Sequence, residues 1–372
     1  MTRTPPSGEQ RIVLTLDAGG TSFRFSAIAG DRVIEQGVTL PSRGDDLAAC
    51  LSQIIEGFSR VREAAGGAIA ALSFAFPGPA DYAGGVIGDL GNLPAFRGGV
   101  ALGPMLEDHF GVPVFINNDG DLFAYGEALH GLLPEINGML AAAGSPRRYR
   151  NLLGVTLGSG FGGGIVRDGE LFLGDNGAAG EIWLVRNKLD RGWPSEEGAA
   201  IRAVRSVYAR RAGIAADDAP EPSVIASIAR GESPGDAAAA REAFRLLGEV
   251  AGDAIANAIT LLDGLIVVGG GLAGAGGLFL PELVAELNGT LALVSGQEVP
   301  RLELSAFNLE DDGERRRFVS ARPREIRVPG SDRTVTYDPE KRTGVGLSRL
   351  GTSRAISLGA YAFAVRKLDE RR

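Results

Sequence analysis

The sequence predicts an α/β protein of two related halves, on three observations. Two glycine-rich turns about 140 residues apart, Leu16-Asp17-Ala18-Gly19-Gly20-Thr21 and Leu157-Gly158-Ser159-Gly160-Phe161-Gly162-Gly163-Gly164, each interrupt an alternating, strand-like run. Elsewhere, apolar strand candidates alternate with segments of helical spacing. The chain has 372 residues, enough for two cores, with 44% hydrophobic and 23% charged residues, as in an ordinary globular protein.

The first strand, Ile12 to Leu16, resumes after its turn as Ser22 to Ile28. Val155 to Leu157 enters the second turn and Ile165-Val166 leaves it, with a further hairpin signal at Arg167-Asp168-Gly169-Glu170. Glycines there leave backbone N–H groups unobstructed and permit positive φ, so amides can converge on phosphate oxygens. A dinucleotide motif fails because a strand, not a helix, follows Gly163. One such loop alone reads as a tight hairpin; two in matching contexts point to phosphate.

After the first hairpin, Asp45 to Ala65 has helical spacing and Ala68 to Ala75 reads as a buried strand. Irregular stretches follow at Phe76 to Asp81 and Gly88 to Phe96, the second carrying Asn92. Val112 to Ile116 is a short strand delivering Asn117-Asn118-Asp119-Gly120-Asp121, with helical character from Leu122. Helices are predicted over Gly198 to Ala212 and Ala237 to Leu262, then a strand over Leu265 to Val268 closed by Gly269-Gly270-Gly271. Gly276 to Leu287 reads as a helix with a proline near its start. Charged, alternating pieces mark a β-rich insertion at about 298–345, including Arg301 to Ser305 and Arg324 to Val328. Ser353 to Lys367 is a closing helix.

Composition excludes several classes. The 55 glycines follow no triplet repeat, and a net charge of −8 disfavours nucleic-acid or anionic-membrane binding. The basic clusters Arg147-Arg148-Tyr149-Arg150 and Arg315-Arg316-Arg317 read as solvated loops. Cys50 is the one cysteine, so there is neither a disulfide framework nor a thiolate cluster for zinc. With no apolar signal core and no membrane-length apolar run, a cytoplasmic location is expected.

The ordered set of motifs resembles the repressor, open reading frame, kinase (ROK) family of bacterial sugar kinases and repressors. Asp17 to Thr21 with Arg24 resembles its first phosphate motif, Asn118-Asp119 its catalytic-base motif, and the second glycine loop with Ala179-Gly180-Glu181-Ile182 its next two. Gly269 to Gly271 resembles the adenosine-side turn and Leu350-Gly351-Thr352-Ser353 the closing pattern. The resemblance implies two actin-like (ribonuclease-H-like) domains with a central interdomain cleft. The smaller domain would take 11–118 plus 353–372, the larger 119–352. It also implies ATP and Mg²⁺ as cofactors, a hexose substrate, a glucokinase- or fructokinase-like activity, and compatibility with a homodimer.

The chain departs from the family where a histidine should follow Glu181 by three residues. Leu184 stands there, and Gly192 to Glu197 replaces a cysteine cluster, so no structural zinc is expected. Asp121 replaces a second asparagine. Locally Asp119 reads first as an N-cap for the helix that follows; by resemblance it is instead the general base. Asp17 is the candidate Mg²⁺ ligand or a turn aspartate. Gly19, Gly20, Thr21, Gly158, Gly160, Gly162 and Gly163 are candidates for the phosphates, and Gly270 and Gly271 for adenosine. Asn92, Asn118, Asp119, Glu181 and Glu197 are candidate sugar contacts, with Glu196 an alternative to Glu197. A repressor lacks room for a helix-turn-helix ahead of the first strand. A non-catalytic sugar-binding protein, and an acyl-phosphate or glycerol kinase of the same fold, remain rivals.

Overall fold

The computed structural model describes residues 9–18, 21–78, 80–88, 94–320 and 323–371. They form two compact units. The first runs through Gly131 and includes Gly164–Gly180 and the chain from Leu350; the second comprises Leu132–Gly163 and Glu181–Arg349.

The first unit opens with β1 (Ile12–Ala18), β2 (Ser22–Ala29) and β3 (Arg32–Pro41), then α1 (Leu47–Ala65) and β4 (Ile69–Ala75). A small hairpin, β5 (Ala80–Asp81) and β6 (Val86–Ile87), precedes α2 (Leu102–Phe110), β7 (Val114–Asn117) and α3 (Asp119–His130). The sheet order is β3-β2-β1-β4-β7, antiparallel through the first three strands and parallel from β1 onward. Both faces of this sheet are covered, which explains the near-continuous apolar runs of its inner strands. Leu14, Leu16, Phe23, Phe25, Phe58 and Phe74 bury one face, with Phe25 and Phe58 edge to face at 5.1 Å. Val13, Ile28, Ala71 and Phe115 meet Leu358 and Tyr361 of the closing helix on the other. Asp46 caps α1 by accepting from Ala49 N–H at 3.1 Å, and Gly66 ends it in the left-handed region. Cys50 is buried there, and burial pushes its thiol up to about 11.

The chain continues through α4 (Leu132–Ala142), β8 (Leu152–Leu157), β9 (Phe161–Arg167) and β10 (Glu170–Leu171) to α5 (Ile201–Ala212), α6 (Pro222–Arg230) and α7 (Ala237–Leu262). There follow β11 (Leu265–Gly269), α8 (Gly276–Leu287), the hairpin β12 (Thr290–Ala292) and β13 (Glu298–Pro300), then β14 (Ser305–Asn308) and α9 (Asp312–Val319). A second hairpin, β15 (Arg324–Arg327) with β16 (Thr334–Tyr337), precedes β17 (Arg342–Leu347) and α10 (Thr352–Glu370). The second sheet has the order β10-β9-β8-β11-β17-β14. Its first five strands repeat the connectivity of the first sheet, as the actin-like reading expects.

Helix α7 shows how local sequence sets an element. Ala240, Phe244, Leu247, Ala251 and Ile255 recur at three- and four-residue spacing and are buried, and Asp236 accepts from both Ala238 and Ala239 N–H at 2.9 Å. Replacing Asp236 with alanine is expected to cost about 1 kcal/mol of stability, read as a lower urea midpoint with unchanged slope.

Three readings of the sequence are corrected. Pro281 lies inside α8 rather than near its start. The stretch 298–345 is divided: β14 and β17 join the second sheet as parallel neighbours, while β15 and β16 form an exposed hairpin and Arg301–Leu304 is not strand. The basic clusters are solvated loops only in part: Arg148 and Arg150 are exposed in a loop, but the rest is not. Arg147 pairs with Asp338 at 3.2 Å, Tyr149 stacks on Phe318 with centroids 5.7 Å apart, and Arg315 to Arg317 lie in α9. Arg147 found a carboxylate 191 residues away and Arg317 lies over the Phe307 ring, 5.3 Å from its centroid. Among the described residues, no helix is long and apolar enough to cross a membrane.

Candidate active site

In the first unit, strand register gathers the candidate carboxylates. Asp17 of β1 stands beside Ala75 of β4, and Ala75 beside Asn117 of β7, all three strands parallel. Asp17 and the Asn118-Asp119 pair therefore emerge at one carboxyl edge, about 10 Å apart at two strand spacings. That edge is where open α/β sheets bind ligands.

Asn118, not Asp119, caps α3: its Oδ1 accepts from Gly120 N–H at 2.8 Å. Asp119 is the first helical residue, and its Oδ1 shares the same N–H at 2.9 Å. The cap role that competed with catalysis for Asp119 thus falls to its neighbour. Asn118 also donates through Nδ2 to Tyr82 Oη at 3.4 Å, and Tyr82 donates to the Phe76 carbonyl at 3.1 Å. Asp119 reaches solvent, yet dense surrounding protein disfavours its charged form and pushes its carboxyl above the usual carboxylate range. The Gly120 N–H opposes that rise and the nearby Asp17 charge adds to it.

Asp17 Oδ2 accepts from Ser353 Oγ at 3.1 Å, at the start of α10. The buried Glu127 of α3 accepts from Leu350 N–H at 3.1 Å, so the closing motif is tied to both elements. Helix α3 is seated by glycine. A Cβ at Gly126 would fall 2.0 Å from the Ala355 carbonyl, one at Gly359 2.0 Å from that of Leu122, and one at Gly164 2.4 Å from that of Gly120. Thr21 is exposed, and its carbonyl accepts from Ser42 N–H at 3.1 Å. Gly19, Gly20 and Asn92 lie outside the described residues.

In the second unit, the glycine turns after β8 and β11 meet. Strand β11 pairs parallel with β8, and Leu272 N–H donates to the Leu157 carbonyl at 3.0 Å. Gly270 has φ 88°, and a Cβ on it would lie 2.3 Å from that carbonyl, so only glycine fits. A Cβ at Gly158 would stand 3.8 Å from Gly271 N, whereas one at Gly271 would meet nothing within 4 Å. Two turns over 100 residues apart thus form one continuous backbone surface beside open space, which suits a nucleotide. The second glycine loop is shorter than expected. Strand β9 begins at Phe161, so Gly162 and Gly163 are strand residues, and none of Gly158, Gly160, Gly162 or Gly163 has positive φ. Close approach accounts for two of them: a Cβ at Gly162 would lie 2.6 Å from Thr156 Oγ1, and one at Gly160 2.6 Å from Glu196 Oε2.

Glu181 is exposed at the start of a 3-10 turn, Ile182–Leu184, and its carboxylate accepts from Trp183 Nε1. Glu197 pairs with Arg202 at 2.7 Å, and that guanidinium holds its carboxyl below the usual range. Leu184, at the position where the resemblance leads one to expect histidine, is exposed. Among the described residues, no group of three or more histidine, cysteine, aspartate or glutamate side chains could hold a metal ion. The segment 182–197 is organised by other means. Buried Ser195 donates to the Ile182 carbonyl at 2.9 Å, and Asn187 accepts from Leu189 N–H at 2.9 Å. This donor set does not fit zinc. Sequence reasoning missed Tyr82, Glu127 and Arg202; only tertiary contact reveals them.

The chain is similar to known sugar kinases along most of its length. A solved structure of glucokinase from Parabacteroides distasonis ATCC 8503 is 53% identical, superposes with a TM-score of 0.89, and covers 97% of this chain and 99% of its own. The N-acetyl-D-glucosamine kinase of Photobacterium profundum is 28% identical over 308 residues, 77% of this chain and 91% of the relative. That of Vibrio cholerae serotype O1 is 33% identical over 176 residues, 47% of this chain and about half of the relative's length. The model of the ROK family matches residues 13–313, so with its motifs placed at the ends of these two sheets, the chain belongs to the ROK family.

Proposed function

We propose that this protein is an ATP-dependent sugar kinase that transfers the γ-phosphoryl group of ATP to a hydroxyl of a hexose or hexose derivative. The observation that carries the reading is the convergence of Asp17 and Asp119 at one sheet edge, with the Asp119 carboxyl raised above the ordinary range. The hydroxyl oxygen attacks the γ-phosphorus, the bond to the ADP bridging oxygen breaks, and the hydroxyl proton passes to the Asp119 carboxylate. A raised pKa suits a base that must hold that proton late in the transfer. Asn118 is fixed by its cap and by Tyr82, and so presents an amide of set orientation for sugar hydroxyls.

The backbone of Gly158 and Gly270-Gly271 would receive the nucleotide in the second unit, and Thr21 would serve the phosphates from the first. Mg²⁺, when bound, would shield phosphate charge, and Asp17 is the residue that would hold it through water. Glu181 and Glu197 are assigned to the sugar side, with Glu197 drawing on its Arg202 pair for orientation. The likeness to a glucokinase at 53% identity makes glucose the first sugar to test. The rival reading, a sugar-binding protein without turnover, has no specific observation in its favour.

The test is sugar-dependent ADP release from Mg·ATP across glucose, fructose, mannose, N-acetylglucosamine and N-acetylmannosamine. Turnover with glucose at a kcat on the order of 1–100 s⁻¹ is expected. Binding of a sugar by calorimetry without ADP release would instead favour the non-catalytic rival.

A further inference from the structure

Two side chains outside the glycine turns grip the loop after β8. Glu196 Oε2 accepts from Phe161 N–H at 2.8 Å, and its Oε1 accepts from Arg202 Nη2 at 2.7 Å. Arg202 Nη1 donates to the Ser159 carbonyl at 3.1 Å, and its Nη2 also reaches Glu197 Oε1 at 2.7 Å. Ile201 N–H, the first of α5, donates to the Gly158 carbonyl at 2.8 Å. One short segment, 196–202, thereby holds the peptide groups of Gly158, Ser159 and Phe161. Gly160 is glycine for the same reason, because a Cβ there would lie 2.6 Å from Glu196 Oε2.

The placement of Arg202 needs a cause. It is the second residue of α5, and the positive end of a helix disfavours a cation. Two carboxylates and a loop carbonyl account for it; the helix does not. Nor does the cluster serve stability to any great extent, since Arg202 and Glu197 are exposed by 44% and 41%, and exposed pairs contribute little. What the pair does provide is a defined loop shape, through a carboxylate bonded to one peptide and a guanidinium bonded to another.

We propose that Glu196 and Arg202 are positioning residues for nucleotide binding: together they clasp the second glycine loop in the shape that receives the phosphates. This rests on the sugar-kinase reading above.

The test uses the full chain with Glu196→Ala, Arg202→Ala and Glu196→Gln, each first checked for a cooperative thermal transition. Amide exchange of the peptide carrying Phe161 reads the clasp without ligand, and calorimetry with Mg·ADP reads its consequence. Both alanine variants should exchange faster at Phe161 and bind Mg·ADP roughly tenfold more weakly, the size of one lost charge-assisted hydrogen bond. The KM for ATP should rise in step in both, while in Glu196→Ala the KM for sugar stays within about twofold. Glu196→Gln retains an acceptor for Phe161 N–H and should recover most of the affinity. Unchanged exchange and ADP affinity in the folded alanine variants would overturn the clasp. So would a rise confined to the sugar KM, which would return Glu196 to the sugar. A wild type that binds Mg·ADP but phosphorylates no sugar would sink the kinase reading and leave the clasp standing; one that binds no Mg·ADP overturns the clasp as well.

Discussion

Asp119→Asn is expected to lower sugar phosphorylation by about 10²- to 10⁴-fold, the contribution of a positioned general base, without lowering stability. The two effects separate because the Asp119 carboxyl is raised in the folded protein. The native state therefore binds that proton more tightly than the unfolded chain, whose carboxyl titrates near about 3.9. The stability associated with the neutral form is fully present below that value and is lost as pH rises through the folded pKa. At neutral pH the wild type bears that cost and the amide does not, so the variant should melt at the same temperature or higher. In the wild type, kcat/KM should fall on the acid side at a pH above the ordinary aspartate range. A variant that loses activity and stability together would indicate that Asp119 serves the fold rather than the reaction.

Gly126→Ala should be the most destabilising of the single-methyl changes named here. The new Cβ would sit 2.0 Å from the Ala355 carbonyl, where α3 crosses α10 backbone to backbone, and neither helix can yield easily. The Gly359 contact with Leu122 repeats the constraint from the other helix, and Gly164 abuts Gly120 at the first turn of α3. Overpacking of this kind costs about 3 kcal/mol, or roughly 6–12 °C in melting temperature for a domain of this size. Because Asp119 begins the displaced helix, kcat should fall more than the stability loss alone predicts. Gly138→Ala provides the control. It lies in α4, its Cβ would meet nothing within 4 Å, and the change should be neutral or stabilising by about 0.4–1 kcal/mol. Equal melting temperatures for the two variants would contradict the packing argument.

The sequence was informative wherever chemistry is local. Helix α7 could be bounded at Ala237 and Leu262 because periodicity and an aspartate cap coincide there. The two strand-turn-strand units were visible from alternation broken by glycine, and the short apolar run Val112 to Ile116 located Asp119 at a strand's carboxyl end. Where partners are distant, the reading failed. Arg342 is fully buried because the Ser320 carbonyl, 22 residues away, accepts from its guanidinium at 3.2 Å beside Asp338 and Glu340 at 3.0 and 2.8 Å, so a charged residue opens an inner strand, β17. Alternation of charged and apolar residues cannot distinguish such a strand from the exposed β15–β16 hairpin beside it in sequence. Glu196 had no signal beyond its proximity to a helix start. Its partner Phe161 lies 35 residues away, and only the fold joins them.

The most direct test of the central claim is transfer of label from γ-³²P ATP to glucose, measured in a single turnover with wild type and Asp119→Asn side by side. Labelled hexose phosphate from the wild type, reduced at least a hundredfold in a variant that still binds glucose and Mg·ADP, is the predicted result. Equal transfer by both proteins would contradict the assignment of Asp119, and label released only as inorganic phosphate from the wild type would contradict sugar phosphorylation itself.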